Sequence, residues 1–594
     1  MILLLAGLVI ALQFPATQNY ITQKAIHFIS DKTHTKVTLG GINVAFPKSV
    51  VLKDLFLEDQ QHDTLLYSHR FAVDIDMMKL FSHHIELNAI DVENLTSHVS
   101  RSKADSSFNF DFLIKAFVKE PPADTTTQPG WKFSLSNIHL EKIFFTLDDD
   151  VAGSQMAFRI GNFKTHFKDF DLDSMKFDIE NIDLVNTSAS VIQTKTSPAP
   201  ASENTSPEMP GYNVNVHGIN LSAVSLLFQT PQQILDMKIG QASVVTHNMS
   251  IADQKIELEK AALSDSKIYF TINKIITTDT VAQKAKEAVT TTESLQPSWK
   301  VTLEDLDLKN NVMGFNNFNS PELSQGIDFN HLLISGIDAD VNSISYDEKN
   351  ITADIRELKM RDQSGFELKH FQAKITYDST HAELAELDLQ TANSQIRRYI
   401  SVTYPSIDAI ADNIGDLKIN ADFEHTVIGL SDVLLLQPEL AKSLQLKNPE
   451  FQSIRVNAKV NGVVKDIYIS KMEVRAAGNT VLIMKGNIKG LPDAASAYYD
   501  ISLQKFSTTN ADVRSLINSS MLPSAIAIPA ALTMKGYFKG YMKKFNGAAD
   551  ISSSFGNASA KVHMEKNEVY AATFSSDHLD LGKLLRDTTL GPVT

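Results

Sequence analysis

Apolar and polar residues alternate in three related stretches of this chain, each of which opens with an aromatic residue. The stretches are WKFSLSNIHL from Trp131, YNVNVHGINL from Tyr212 and WKVTLEDLDL from Trp299. Apolar residues follow the aromatic one at positions +2, +4, +7 and +9 in all three. A spacing of two places side chains on one face of a β-strand. The repetition therefore predicts a protein built from repeated strands.

The step from +4 to +7 in each copy breaks the alternation of a regular strand. A β-bulge or tight kink would restore the same face. We predict such kinks at Ser136-Asn137, His217-Gly218 and Glu304-Asp305. The copies recur at intervals of 81 and 87 residues, which favours an array in which each unit mainly contacts its neighbours. The aromatic residue at each start is expected to anchor the core, or alternatively to lie at a membrane-like interface.

Strict alternation also predicts strands outside the repeats. Phe71 to Met77 is the clearest, because acidic residues separate its large apolar ones. Residues 35–46 combine two strand phases around Gly40-Gly41, which predicts a glycine bend. In the second half we predict short helices that interrupt the sheet, over residues 393–416 with a break at Pro405, over 430–446 and over 510–517. Three polar stretches predict surface loops or disordered segments near residues 120–130, 193–211 and 277–297.

The first twelve residues, MILLLAGLVIAL, form an apolar run. Its length fits part of a spanning helix as well as the core of a signal peptide. We predict an uncleaved anchor over residues 1–15, because no small-residue cleavage motif follows; a signal peptide and a buried helix are the alternatives. The anchor residues are Ile2, Leu3, Leu4, Leu5, Leu8, Val9, Ile10 and Leu12. Helical spacing of apolar residues then predicts an amphipathic helix over residues 16–34.

The predicted fold class is mainly β. We expect an elongated, twisted antiparallel sheet, folded like a taco into a repeating groove over residues 35–392, which continues with interspersed helices over 393–594. The apolar face of such a sheet must be covered by something. Left in water, it would exceed the apolar patches that monomers expose, so it would hold a ligand with long apolar parts, and lipid is the obvious candidate. A row of ordinary β-sandwich or barrel domains that fill their own cores is the alternative.

Candidate groove residues come from the apolar positions of the clearest strands. They are Phe71, Val73, Ile75, Phe133, Leu135, Val214, Val216, Val301 and Leu303. If they line a lipid groove, a charge on that face, such as Val73→Asp, would block lipid passage. A charge on the opposite face, such as Asp74→Lys, would not.

Composition and charge exclude several classes of function. The 594 residues carry a formal net charge of −15 without a basic patch, which argues against nucleic acid as a partner. The chain has no cysteine, so disulfides, thiolate metal sites and cysteine nucleophiles are excluded.

No motif in the chain predicts catalysis. His84 and Glu86 share one strand face but lack a third metal ligand at readable spacing. Asp148 to Asp150 lacks the glycine and distal glutamate of a calcium loop. No Gly-x-Ser-x-Gly elbow and no phosphate-binding loop is present. We therefore expect no enzyme, no cofactor and no metal.

Several strings near the N-terminus resemble a known family. QNYITQKA from Gln18, TKV from Thr35, Pro47 and EDQQHDTLLY from Glu58 are similar to the N-terminal portion of TamB-like proteins of the AsmA superfamily, in the form found in Bacteroidetes. The resemblance is good over residues 1–100 and becomes a similarity of pattern beyond. Because TamB-like chains are usually much longer, we expect either a fragment or a short AsmA-type relative.

The resemblance implies a single-pass inner-membrane anchor and a periplasmic β-rich rod with a hydrophobic groove. Relatives are implicated in phospholipid transport toward the outer membrane and, with an outer-membrane barrel of the Omp85 family, in outer-membrane protein assembly. We therefore expect phospholipids as ligands and the inner membrane as the location. The alternatives are a scaffold that chaperones nascent outer-membrane strands by edge pairing, and a structural envelope protein of packed β-domains without a ligand.

Overall fold

The structure is a computed structural model that describes most of the chain. The described residues are 14–45, 48–104, 106–117, 131–195, 213–250, 253–274, 299–348, 350–406, 413–440, 452–476, 478–517, 526–565, 569–587 and 589–593. The chain divides into two units, residues 1–321 and 322–594. Both are mainly β, as predicted. The predicted boundary near residue 392 stays a prediction.

The first unit contains fifteen named strands. They are β1 (Val37–Thr38), β2 (Gly41–Ala45), β3 (Ser49–Glu58), β4 (Thr64–Ile75), β5 (His84–Arg101), β6 (Lys132–Leu135), β7 (Asn137–Asp149), β8 (Ser154–Asp171), β9 (Lys176–Gln193), β10 (Asn213–Val216), β11 (Gly218–Gln229), β12 (Gln233–Ser250), β13 (Lys255–Ser264), β14 (Lys267–Ile272) and β15 (Lys300–Asn317). The described helices of this unit are α1 (Pro15–Thr33), α2 (Asp111–Phe117) and a 3-10 turn at Lys79–Ser82.

These strands pair in sequence order within one sheet. The pairs are antiparallel except at three junctions, where β5 pairs with β6 and β7, β9 with β10 and β11, and β13 and β14 with β15, all in parallel. The sheet is therefore mixed rather than purely antiparallel. A parallel pair needs a connection that returns the chain to the starting edge. The three predicted polar stretches fall in these returns, and they lie largely outside the described residues.

The parallel junctions explain the sequence repeat. Each copy begins where the chain re-enters the sheet, and three antiparallel strands follow before the next junction, as in β7 to β9. Two predicted kinks are confirmed, because the chain breaks between β6 and β7 at Ser136 and between β10 and β11 at His217. At the third site β15 is continuous through Glu304 and Asp305, so there is no strand break there, and the predicted bulge stays a prediction. The neighbouring pair of β12 and β13 has a register shift at Val245 and Thr246.

Helix α1 confirms the helix predicted over residues 16–34. Thr22 is buried, and its Oγ1 accepts a hydrogen bond from the Ile42 N–H at 3.0 Å. The aromatic residues Tyr20 and Phe28 of this helix are exposed. Among the helices that the structure describes, none is long and apolar enough to cross a membrane. The predicted anchor residues 2–12 lie outside the described part of the chain.

The second unit is an antiparallel meander followed by a small hairpin. Its strands are β16 (His331–Asp347), β17 (Asn350–Asp362), β18 (Glu367–Asp378), β19 (His381–Thr391), β20 (Gln395–Thr403), β21 (Lys418–Gly429), β22 (Ser453–Val463), β23 (Asp466–Ala476), β24 (Thr480–Lys489), β25 (Tyr498–Thr509), β26 (Ala531–Tyr541), β27 (Lys544–Ser553), β28 (Gly556–Met564), β29 (Tyr570–Asp577), β30 (Leu579–Asp580) and β31 (Pro592–Val593). The helices are α3 (Leu430–Leu436), α4 (Asn510–Leu516), α5 (Leu581–Leu585) and a 3-10 turn at Ile414–Asp416.

Short helices that interrupt this sheet are confirmed, but the helix predicted over residues 393–416 is wrong. Residues 395–403 form β20, because Ile396, Ile400 and Val402 alternate on one face and pair with apolar residues of β19. The helices α3 and α4 are held by an aspartate in their first turn. Asp432 accepts hydrogen bonds from the turn after β19, and Asp512 accepts one from the Asn479 N–H at 3.1 Å.

Candidate functional site

The sheet of the first unit aligns apolar residues in lateral rows that cross every strand. Side chains of directly paired residues share a face, and Phe71 belongs to one such row. The row comprises Ile42, Leu52, Phe71, Val92, Leu140, Phe163, Leu184, Leu221, Ala242, Leu263 and Leu308. The pairing of strands distant in sequence has thus produced a continuous apolar line.

A second row passes through the predicted groove residue Val73. It comprises Val44, Val50, Val73, Ile90, Ile138, Thr165, Ile182, Ile219, Val244, Ala261 and Leu306. Thr165 is its polar member, and its hydroxyl donates to the Asn181 carbonyl at 2.8 Å. That hydrogen bond satisfies the polar group within the apolar surroundings.

The remaining predicted residues occupy equivalent positions in two more rows, near one edge of the sheet. Leu135, Val216 and Leu303 pair with Leu87, Ile179 and Leu258, and Ile75 joins them through Leu87. Phe133, Val214 and Val301 pair with Ile85, Phe177 and Ile256. The structure therefore brings all nine predicted residues onto one face. Their contact with lipid stays a prediction.

Aromatic rings fill part of the edge row. The ring of Phe170 lies 5.8 Å from Phe133, 5.1 Å from Phe167 and 5.1 Å from Phe177, measured between centroids. Two of these contacts are edge-to-face, an arrangement that stabilises by ~1 kcal/mol beyond burial. The cluster joins β6, β8 and β9 across the strand break at Ser136.

A line of left-handed residues crosses the same sheet beyond these rows. The members of this line, each with a φ between 49° and 54°, are Asp54, Asn94, Lys142, Asn186, Ala223, Asp265 and Asn310. The pairings place them in register with His69, Gly161 and Gly240 of the intervening strands. We call this line the bulge row. Each left-handed residue shifts the alternation of its strand by one position.

Because of that shift, apolar residues beyond the bulge row stand an odd number of positions away from those before it in the same strand, and they stay on the same face. One further row comprises Ser97, Phe145, Phe158, Ala189, Leu226, Met237, Ile268 and Met313, and another Val99, Leu147, Met156, Val191, Phe228, Leu235, Phe270 and Phe315. Sequence reasoning missed both rows. The change of parity within single strands, as from Leu140 to Ile143, was the available signal. All these rows together are the apolar face.

Most side chains of the apolar face are only partly buried. In the Phe71 row, Val92 alone is fully buried, while residues as large as Phe163 and Leu184 remain partly exposed. The inner face of a β-sandwich is packed to interior density and would bury such residues. In addition, the described strands form one sheet rather than a series of small ones. The alternative of sandwich domains that fill their own cores is therefore not found in the described part of this unit.

The opposite face is polar and is laced by cross-strand pairs. Asp178 lies 2.7 Å from His217, Arg70 lies 2.8 Å from Glu93, and Asp91 lies 3.4 Å from His139. Half-exposed pairs of this kind contribute ~0–1 kcal/mol each. Their main effect is to keep this face in contact with water, so that the apolar side chains lie on the other face of the sheet.

The sequence-predicted chemical candidates have structural partners instead. His84 Nε2 lies 3.1 Å from Ser134 Oγ, and Glu86 pairs with Lys79. Arg101 donates to both carboxylate oxygens of Asp149 and holds its pKa below the usual range. Among the described residues, no group of three acidic, histidine or cysteine side chains is placed to bind a metal ion.

Two depressions on the sheets are lined by polar residues together with apolar ones, and Leu221, Ala242 and Leu263 of the Phe71 row contribute to the first. One of about 540 Å³ is lined chiefly by Ser222, Gln241, Ser264 and their neighbours in the first unit. Another of about 660 Å³ in the second unit is lined by Lys535 and its neighbours. Hydroxyl, amide and charged linings suit water better than hydrocarbon.

The expected core anchors are wrong for Trp131 and Trp299. Their side chains are 53% and 40% exposed. Each tryptophan directly precedes the first residue of a strand at the sheet edge, and in the described part of the chain Trp131 has only His83 as a ring neighbour, at 5.2 Å. Tyr212 lies outside the described residues.

The match to a known family concerns the first part of this sheet. Residues 1–170 match the model of the AsmA family. The match covers less than a third of the chain and includes α1 and the strands β1 to β7. It supports the AsmA superfamily, whereas the TamB-like type stays a prediction. No curated protein and no solved structure shows significant similarity to the chain.

Proposed function

We propose that this protein is a non-enzymatic carrier that holds phospholipid acyl chains on the apolar face and passes them along the cell envelope. The observation that supports it is the set of apolar rows whose members stay partly exposed across more than ten strands. Large exposed apolar surfaces mark binding sites for apolar partners. The AsmA match over residues 1–170 is consistent with envelope lipid or protein transport.

Movement of lipids along the apolar face fits the energetics of that face better than tight binding of one lipid does. Moving a CH₂ group from water to an apolar surface gains ~0.8 kcal/mol. A phospholipid, however, leaves a bilayer whose interior is as apolar as leucine. Transfer from bilayer to apolar face is therefore close to neutral, so lipids can enter and leave. Successive rows offer equivalent apolar positions, so an acyl chain meets the same environment as it moves from one row to the next.

The proposed location follows the resemblance and the apolar N-terminal run. Residues 1–15 would anchor the chain in the inner membrane, and α1 would lead from the anchor to the sheet. The bulk of the chain would then lie in the periplasm.

The test compares matched charges on the two faces of β11. Leu221→Asp places a carboxylate on the apolar face, while Ser222→Asp places one on the polar side next to Gln241 and Val185. Transfer of a fluorescent phospholipid between vesicles is measured for both variants, with co-purified lipid counted by native mass spectrometry. We expect Leu221→Asp to lower transfer several-fold and Ser222→Asp to leave it unchanged.

Equal behaviour of the two variants would sink the proposal, as would a folded wild-type protein without bound or transferred lipid. Circular dichroism of both variants separates loss of function from loss of folding. The pair Val73→Asp and Asp74→Lys repeats the comparison on β4, and the same difference is expected there.

A second candidate function is a scaffold that pairs with strands of outer-membrane proteins, together with an Omp85-type barrel. The favouring observation is β29, which among the described residues pairs only with β28 and is exposed along most of its length. An open strand edge can accept another strand. Proline substitutions in β29 would abolish capture of such a strand without changing lipid transfer, whereas Leu221→Asp would do the reverse.

A further inference from the structure

The strands of the first unit's sheet end along two long sides, which we call its edges. The two edges differ in their exposed side chains. The register gathers the starts of β5, β9 and β13 and the ends of β4, β8 and β12 at one edge. This edge carries exposed large apolar residues in its turns and strand starts. They are Met78, Phe81, Trp131, Leu172, Met175 and Trp299. We call them the tryptophan rim.

The opposite edge carries fewer such residues in its described turns, where Phe318, after the end of β15, is 53% exposed and donates its N–H to the Ile272 carbonyl at 3.0 Å. Residues 59–63, 150–153, 194–195, 230–232 and 273–274 contain no exposed large apolar side chain. Helix α2 does expose Ile114 and Phe117 there, and the Phe117 ring contacts Phe28 of α1 at 6.2 Å. The two edges therefore differ in degree: both tryptophans and most of the exposed large apolar residues of the turns lie on one of them.

Each tryptophan of the rim continues the apolar face and is followed by a lysine. Strand alternation puts Trp131 on the side of Phe133 and Trp299 on the side of Val301, with Lys132 and Lys300 between them. Neither lysine has an ion-pair partner among the described residues.

Other charges on this edge are already engaged. Lys176 lies 2.9 Å from Asp169 and Lys255 lies 2.6 Å from Glu257. Asp171 accepts the Asp173 N–H within its own turn at 2.8 Å. Lys132 and Lys300, by contrast, stand next to the two exposed indoles without an ion pair among the described residues.

We infer that the tryptophan rim marks the boundary between the acyl chains and the headgroups of bound phospholipids. The acyl chains lie on the apolar face, the ester region lies at Trp131 and Trp299, and the phosphate is within reach of Lys132 and Lys300. Indole favours such apolar–polar boundaries. Because Lys132 and Lys300 are the first residues of their strands, their long flexible stems let the ammonium groups reach past the strand ends toward a phosphate. The inference rests on the proposed function and adds the orientation of the lipid.

The rim offers more than one position for a headgroup. Six strand spacings separate the starts of β6 and β15, which amounts to about 29 Å along the edge. Trp131 and Trp299 therefore report on two separate places.

Tryptophan fluorescence tests the orientation, because the chain contains only these two tryptophans. Full-length Trp131→Phe and Trp299→Phe proteins each keep one reporter. They are loaded with phosphatidylcholine brominated either near the ester or near the methyl end of one acyl chain. We expect several-fold stronger quenching by bromine near the ester in both variants.

Equal quenching, stronger quenching from the methyl end, or no quenching by lipid that native mass spectrometry shows bound would each overturn the rim assignment while leaving the proposed function intact. If native mass spectrometry shows no bound lipid in the wild-type protein, the proposed function itself fails. The two failures are thereby distinguished.

The lysines are tested with a matched control from the opposite edge. Lys132→Ala with Lys300→Ala is compared with Lys274→Ala, which removes an exposed lysine beside the end of β14. We expect the double variant to retain several-fold less phosphatidylglycerol than the wild type, with retention of diacylglycerol unchanged, and Lys274→Ala to retain both. A parallel loss of diacylglycerol, or an equal effect of Lys274→Ala, would contradict the phosphate contact.

Discussion

Gly240 lies so close to the backbone of Asp265 that a Cβ on residue 240 would be 2.7 Å from the Asp265 carbonyl oxygen. Asp265 has a φ of 52°. Gly161 stands in the same relation to the left-handed Asn186, with a distance of 2.5 Å. Two strands of different repeats thus use glycine opposite a left-handed residue. The bulge row depends on this close approach of two backbones. The change in side-chain alternation at the bulge row, which keeps the apolar residues on one face, therefore depends on it as well.

Gly240→Ala should destabilise the first unit. Its new Cβ meets backbone atoms that cannot move aside, and overpacking of this kind costs ~1–3 kcal/mol. Urea unfolding measures the effect. Gly41→Ala is the control, because nothing lies within 4 Å of a Cβ there, and it should change stability by less than about 0.5 kcal/mol. Equal shifts for the two variants would contradict the crowding at Gly240.

Ala223 gives a prediction of the opposite sign. It is exposed and has a φ of 52°, a conformation that costs a residue with a Cβ about 1 kcal/mol or more. Ala223→Gly relieves that strain and should raise the free energy of unfolding by up to about 1 kcal/mol. Ala223→Val should lower it, since a β-branched residue tolerates this conformation poorly. A stabilising valine would show that residue 223 is not left-handed in solution.

Asp432 should stabilise the second unit through its buried carboxylate. Its Oδ2 accepts the hydroxyls of Thr391 and Ser394, both at 2.5 Å, and its Oδ1 accepts the Asn393 amide at 3.1 Å. Asp432→Ala leaves these donors in a buried place without their acceptor, which costs ~1–3 kcal/mol. Thermal and urea unfolding check this against the exposed Asp550→Ala. A loss at Asp550 as large as that at Asp432 would refute the role of the buried cluster.

The Arg101–Asp149 pair predicts a pH dependence. Hydrogen bonds from Arg101, and then from the Ala152 N–H, hold the pKa of Asp149 below its usual value. A lowered folded-state pKa stabilises the fold above the unfolded pKa, and this stabilisation is lost as the pH falls through the folded value. Wild type should therefore be more stable than Asp149→Asn at about pH 6, and the gap should narrow as the pH falls below about 4 and through the lowered folded-state pKa. A gap that stays constant over this range would contradict the prediction.

Much of the fold follows from local patterns in the sequence. Alternation with period two is a property of each strand alone, so Phe71, Val73 and Ile75 could be placed on one face without knowing their neighbours. The step from +4 to +7 likewise gave the breaks at Ser136 and His217. The helix predicted over residues 393–416 failed because pairing with β19 favoured a strand in a stretch rich in β-branched residues.

The sequence by itself determined that the protein is a repeated β-structure with one apolar face and no evident catalytic motif. Tertiary structure alone decided the three parallel junctions, the bulge row and the edge position of Trp131 and Trp299. The physical reason is that a side chain's face depends on its own backbone, whereas register and burial depend on hydrogen bonds between strands far apart in the chain. Only those bonds reveal that a tryptophan at a repeat start lies at an edge, with little of the sheet packed around it.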